Sequence, residues 1–214
     1  MFYRLLPLTI LLLLLNFAAH SADKHSRAER WTQFAQSLET LHEKRMKTLT
    51  HTKQESIGGY GGIKADSSFY REVKYLEPGT GKVLAIVQRE NNPASLLHVI
   101  ELYIYDDQGR VLREYLATYL PGRRETPFQT LITHYAYTGN LVAFRQFDAS
   151  DDLLFEHCTG ELEGKKVRLS FDEFEVPDNA SEIEGKFERK AYQSCFQSLK
   201  KSAGSYLNPL HELE

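Results

Sequence analysis

The chain has 214 residues, with 26 lysines and arginines against 29 aspartates and glutamates and a net charge of −3. That length suits one domain with a sizeable core. The charge balance argues against general nucleic-acid binding, which rests on a basic surface that neutralises phosphates.

Arg4 and the free amino group precede an apolar run from Leu5 to Leu15, broken only by Thr9 and containing Pro7. The run is too short to cross a bilayer as a helix, which takes about 20 residues. The small residues of Asn16-Phe17-Ala18-Ala19-His20-Ser21-Ala22 follow, a segment that a signal peptidase accepts. The pattern predicts a cleaved secretory leader over 1–22 and a single α+β domain over 23–214, beginning at Ala22 or Asp23. An uncleaved anchor is the alternative. The leader carries one arginine and no acid, so its loss takes the net charge to −4. No cysteine follows the apolar run, which argues against a lipid anchor, and no transmembrane segment is expected in the mature chain. An exported protein, periplasmic or secreted, is the expectation.

Residues 28–49 place Trp31, Phe34, Leu38, Leu41, Arg45 and Leu49 at steps of three or four, the spacing of one helical face. Its polar faces mix acids with bases, so the stripe reads as a lid on the core and not as a membrane-binding surface. The segment 51–62 holds Gly58-Gly59-Tyr60-Gly61-Gly62 and is expected to be a flexible loop. No Lys-Ser/Thr follows the glycines, so a phosphate loop is not indicated.

From 67 to 176 the period changes to two. Eight apolar runs (67–77, 82–90, 95–106, 110–120, 128–138, 140–149, 153–162 and 165–176) are separated by compact turn signals such as Pro78-Gly79-Thr80-Gly81, Asn91-Asn92-Pro93 and Asp107-Gln108-Gly109. Gaps this short hold no crossover helix, so neighbours must be antiparallel. If Tyr105 pairs with Arg110, Leu102 faces Arg113 and Ile100 faces Tyr115. One sheet face then carries Ile100, Leu102, Ile104, Val111, Tyr115 and Tyr119. The other carries Leu97, Val99, Tyr103, Tyr105, Leu112, Leu116 and Leu120. Both faces are largely apolar, so cover is expected on both sides: a helix on one, and on the other the sheet itself, curled strongly or into a half-barrel.

A second helix is expected over 181–203, with Ser181 as N-cap and Glu184 at capping-box spacing. Ile183, Phe187, Ala191, Cys195 and Leu199 step by four along it. In an exported chain the lone pair Cys158 and Cys195 is most simply a disulfide. It would staple this helix to a strand, and closing a loop of 37 residues contributes roughly 4 kcal/mol in the loop-entropy picture.

No motif for chemistry emerges, and no catalytic residue, metal or cofactor is assigned. The mature histidines (25, 42, 51, 98, 134, 157 and 211) include no pair at two- to four-residue spacing. His98, His134 and His157 lie in separate strands and would matter only if they converge. Asp148-Ala149-Ser150-Asp151-Asp152 lacks EF-hand spacing and reads as a hairpin turn. Tyrosine is the leading lead: Tyr103, Tyr105, Tyr115, Tyr119, Tyr135 and Tyr137 on successive strands are candidate ligand-binding residues, although tyrosine is also an ordinary strand former.

Tyr105-Asp106-Asp107-Gln108-Gly109-Arg110-Val111 resembles the core of the YD repeat, a β-hairpin of large extracellular shells, and here occurs once. Residues 69–88 and 119–148 are similar to uncharacterised exported proteins of Gram-negative bacteria, which implies periplasmic or secreted residence. In outline the expected α+β domain, an eight-stranded antiparallel meander with a helix at each end, is similar to the lipoprotein-carrier half-barrels. The expected function is a non-enzymatic binding module for an apolar ligand or an envelope protein. The alternatives are a hydrolase with residues gathered from several strands and a purely structural envelope protein.

Overall fold

The computed structural model describes residues 6–60, 66–91, 94–122 and 125–214, with side chains over 27–59, 68–91, 96–122 and 125–214. The leader's cleavage site, Gly61-Gly62, the Asn92-Pro93 turn and Arg123-Arg124 lie outside the residues whose side chains are described.

Helix α1 spans Leu6–Thr48, so the helix expected from residue 28 is the second half of a longer one. It is followed by β1 (Thr52–Tyr60), β2 (Asp66–Leu76), β3 (Val83–Asn91), β4 (Ala94–Tyr105), β5 (Val111–Thr118), β6 (Gln129–Thr138), β7 (Asn140–Phe147), β8 (Leu153–Leu162) and β9 (Lys165–Asp172). These make a single antiparallel sheet in chain order, with β1 and β9 at its edges and β5 in the middle. The meander expected from the short turns is present, with nine strands in place of eight.

The extra strand lies where a glycine loop is expected over 51–62. Its residues Thr52 to Tyr60 pair along β2, from Thr52 opposite Leu76 to Tyr60 opposite Asp66. Backbone N–H and C=O groups drive that pairing, so a sequence with poor strand formers still adds to an open sheet edge. Gly58 contributes by having no side chain: a Cβ there would come within 2.4 Å of the Tyr70 ring, which lies across it.

The β4–β5 register differs by two residues from the expected one: Leu102 pairs with Tyr115 and Ile104 with Arg113, with a bulge between Ile104 and Tyr105. A two-residue slip leaves every side chain on its own face, whereas a one-residue slip would invert them. Leu97 is the exception. The register shifts between Val99 and Leu97, and Leu97 turns into the core, away from the face shared by Val99 and Tyr103.

One sheet face is covered. Phe34, Ala35, Leu38 and Leu41 of α1 are buried against Ala85, Val87, Ile100, Leu102, Tyr115, Ala117, Ile132 and Phe147. Trp31 is only partly buried. Its indole Nε1 donates to Ser150 Oγ at 3.1 Å. A second cluster on the same face joins Leu141, Ala143, Cys158 and Val167 to helix α2 (Lys186–Phe196) through Ala191, Tyr192, Cys195 and Phe196. The Cys158–Cys195 disulfide links the two, with Cα atoms 6.1 Å apart.

Helix α2 is shorter than the 181–203 expected. Asn179, not Ser181, caps a 3-10 turn over Ala180–Glu182, and the helix proper starts after Gly185, whose φ of 82° belongs to no helix. Ile183, Phe187 and Leu199 nevertheless reach the second cluster as their four-residue step predicts. Past α2 the chain returns under α1 as two 3-10 turns, Gly204–Leu207 and Pro209–Leu213. Among the described residues the expected cover is found on one sheet face only, since both clusters draw their strand residues from one side.

Candidate functional site

The opposite side of the sheet is the candidate site. Antiparallel pairing sets Tyr103 opposite Glu114, Tyr135 opposite Phe144, Phe144 opposite His157, and Tyr137 opposite Val142. These residues alternate with the core row Leu102, Tyr115, Ile132 and Phe147, so they point away from α1 and α2. The alternation splits the six candidate tyrosines. Tyr103, Tyr105, Tyr135 and Tyr137 share this open face and are half-buried. Tyr115 and Tyr119 are core residues at 0% and 7% exposure, and burial raises the Tyr119 hydroxyl to about 12. Of the six candidate ligand-binding tyrosines, these two therefore lie on the covered face and not on the open one.

Each open-face tyrosine uses its hydroxyl within the sheet. Tyr105 donates to the Val83 carbonyl at 2.8 Å and Tyr137 to the Val111 carbonyl at 2.9 Å. Tyr103 donates to Glu101 Oε1, and Tyr135 to Glu114 Oε2 at 2.9 Å. The rings thus stand fixed side by side. Arg110, paired with Asp106 at 2.7 Å in the YD-like hairpin, covers Tyr137 at 4.3 Å. Beyond Tyr135 an aromatic tract continues through Phe144 (5.5 Å), Phe155 and His157, the last two stacked at 6.1 Å. Leu112 and Val142 are exposed on the same face at 38% and 39%.

At the middle of this face lies a pair of acids with no sequence motif to announce them. Glu101 and Glu114 are half-buried diagonal neighbours across β4 and β5, close enough for each to act on the other electrostatically. Burial lifts the Glu114 carboxyl to about 7; Tyr135 pulls it down and Glu101 pushes it further up. Burial and the Glu101 carboxylate likewise raise the Tyr103 hydroxyl. Among the described residues neither acid has an ion-pair partner, since Lys82 pairs with Glu77 and Arg110 with Asp106.

The covered face treats its charges differently. Arg145 meets Glu156 at 2.5 Å, with side chains 3% and 0% exposed, and Tyr192 donates to the second Glu156 oxygen at 3.0 Å. Arg113 meets Glu212 at 2.5 Å, and Tyr115 donates to the same carboxylate at 2.7 Å. The Asp148–Asp152 turn is held by protein donors. Asp148 accepts from the Ser150 and Asp152 amides and from Arg27, and Asp151 accepts from Ser202 and the Ala203 amide.

The three strand histidines stay apart. His98 stacks with Tyr70, His134 lies against Arg113 and Tyr206, and His157 sits beside Phe144. Burial and the Arg113 charge depress His134 to about 4, so it is neutral at physiological pH. Among the described residues no group of three or more potential metal ligands stands together, and no helix is long and apolar enough to cross a membrane. A cavity of about 530 Å³ opens between α1 and the C-terminal segment, walled by Arg30, Gln33, Gln36, Thr40 and Asn208, with Phe34 at its base; the tyrosines do not line it. Comparison with protein families, curated proteins and solved structures returned no match.

Proposed function

We propose that this chain is an exported, non-enzymatic binding module, periplasmic or secreted after loss of residues 1–22, that docks an envelope protein on its open sheet face. The observation that carries this reading is the fixed, half-exposed row of Tyr103, Tyr105, Tyr135, Tyr137 and Phe144, with Leu112 and Val142 exposed beside it. Soluble monomers rarely leave a contiguous apolar surface uncovered without a use for it. The Cys158–Cys195 bond supports an oxidising compartment. With β1 and β9 unpaired to one another, the sheet is open and not a closed barrel, which leaves its face free to dock a partner.

A second reading, a hydrolase, has one observation in its favour: carboxyl pairs whose proton affinities are pushed apart serve as acid and base in many enzymes. Photo-crosslinking in intact cells separates the two. A benzophenone side chain at 112 or 142 should give a discrete protein adduct, and one at exposed Phe174, away from the face, should not. Equal adducts from all three positions, or none, would count against a docking face. N-terminal sequencing should find Ala22 or Asp23 first; a chain that keeps Met1 contradicts the leader.

A further inference from the structure

The open face carries a charge that the described residues leave unanswered. On the covered face Glu212 and Glu156 each meet an arginine at 2.5 Å, and buried Asp148 meets Arg27 at 2.6 Å. On the open face, among the described residues, Glu101 and Glu114 have no ion-pair partner and accept one tyrosine hydroxyl each. Tyr103 flanks them on β4 and Tyr135 on β6, both held upright by their hydrogen bonds. Leu116, paired with Glu101, and Leu131, paired with Leu116, form an apolar shelf alongside.

Each class of occupant meets this patch differently. A wholly apolar ligand would strip water from the carboxyl pair and return nothing for it. A second copy fares worse. The pair lies on β4 and β5, at the centre of the nine strands, so two faces related by a two-fold axis would bring carboxyls against carboxyls. A cation placed there removes the repulsion and forms charge-assisted hydrogen bonds to both acids. A planar guanidinium matches two neighbouring carboxylates with its fork and also stacks on aromatic rings.

We propose that the patch formed by Glu101, Glu114, Tyr103 and Tyr135 receives an arginine side chain of a partner protein, its head group on the two acids and its stem along Leu116 and Leu131. The assignment rests on the docking-face reading and adds the partner's chemistry to it. Binding moves a proton: the one that the raised Glu114 carboxyl still holds near pH 7 leaves to buffer as the guanidinium takes its place. No other ionisable group of β4, β5 or β6 is hydrogen-bonded to the pair beyond Tyr103 and Tyr135, among the described residues.

The test is isothermal titration of the purified protein with a blocked Val-Arg-Val-Arg-Val peptide and with its citrulline counterpart, which keeps the shape and loses the charge. The arginine peptide should bind saturably, at least about tenfold more tightly than the citrulline peptide. Its heat should vary with the ionisation enthalpy of the buffer, and its affinity should fall about tenfold or more from pH 8 to pH 5.5. Glu101→Gln with Glu114→Gln should abolish the charge preference while the protein melts as a folded domain. Equal binding of the two peptides overturns the proposal, as does unchanged binding by the double variant. So does an absence of binding to either peptide: if adducts still form from positions 112 and 142, the docking face stands and its partner is not cationic; if they do not, both readings fail.

Discussion

The two faces of one sheet solve the same problem in opposite ways. Both carry apolar residues in alternation, and both place carboxylates among them. On the covered side α1, α2 and the C-terminal turns close over the apolar residues, and Arg113 and Arg145 neutralise Glu212 and Glu156. On the open side the described residues supply neither a lid nor an ion-pair partner for Glu101 and Glu114, Arg110 and Lys82 being paired with Asp106 and Glu77. Since unpaired buried charge is costly, a cation laid on a surface of that kind would stabilise it. The contrast separates residues that hold the fold from residues free to serve a partner, and substitutions on each side can break or sharpen it.

The largest effect should come from Arg145→Met, which keeps the volume but leaves Glu156 buried beside Tyr192 alone. Removing one partner of a buried pair typically costs about 3–5 kcal/mol, so the urea midpoint should collapse. A loss below about 1 kcal/mol would mean that Glu156 finds water, and that the covered face is less sealed than its 0% exposure indicates.

Next comes Leu38→Ala on α1. Leu38 is wholly buried between the helix and the sheet, and truncations of this kind cost about 2–5 kcal/mol through lost transfer energy and the cavity left behind. Trp31, only partly buried, should cost less than Leu38. An equal loss at both positions would show that the helix is anchored at its Trp31 end as firmly as at its middle.

Much of this contrast is legible in the sequence, and the remainder fails for identifiable reasons. Period-two alternation between Gly- and Pro-marked turns locates eight strands to within a few residues, because each alternation reflects a real change of face. The ninth strand is silent: Thr52 to Gly59 bury little, and the strand's pairing with β2 is a property of backbone and of Gly58 beneath Tyr70. The end of the domain misleads because its four-residue apolar step continues through Gly185, which the helix cannot include. The split of the tyrosines follows from strand parity and survives a two-residue register error. Glu101 and Glu114 do leave a signal, an acid in mid-strand within Ile-Glu-Leu-Tyr and Arg-Glu-Tyr-Leu. The expected register, with Leu102 facing Arg113, already sets Glu101 opposite Glu114; the observed one sets Tyr103 opposite Glu114 and leaves the two acids diagonal neighbours.

The smallest effect has the opposite sign, and it follows from the open face alone. In the unfolded chain Glu114 titrates near the ordinary 4.5, whereas in the folded protein burial raises it to about 7. Between those values the folded state keeps a proton that the unfolded chain has released, so this group's stabilising contribution is complete below about 4.5 and disappears as pH rises through 7. Above pH 7 the folded protein holds two adjacent carboxylates without a cation. Glu114→Gln removes the second charge and leaves an amide able to accept from Tyr135 and donate to Glu101. The variant should therefore match the parent near pH 5 and exceed it near pH 8. The gain should be on the order of 1 kcal/mol once solvent screening of a half-exposed pair is allowed for. Urea midpoints at the two pH values measure it. If the variant is weaker than the parent at pH 8, a neighbouring group already compensates the pair, and the open face is not short of a cation.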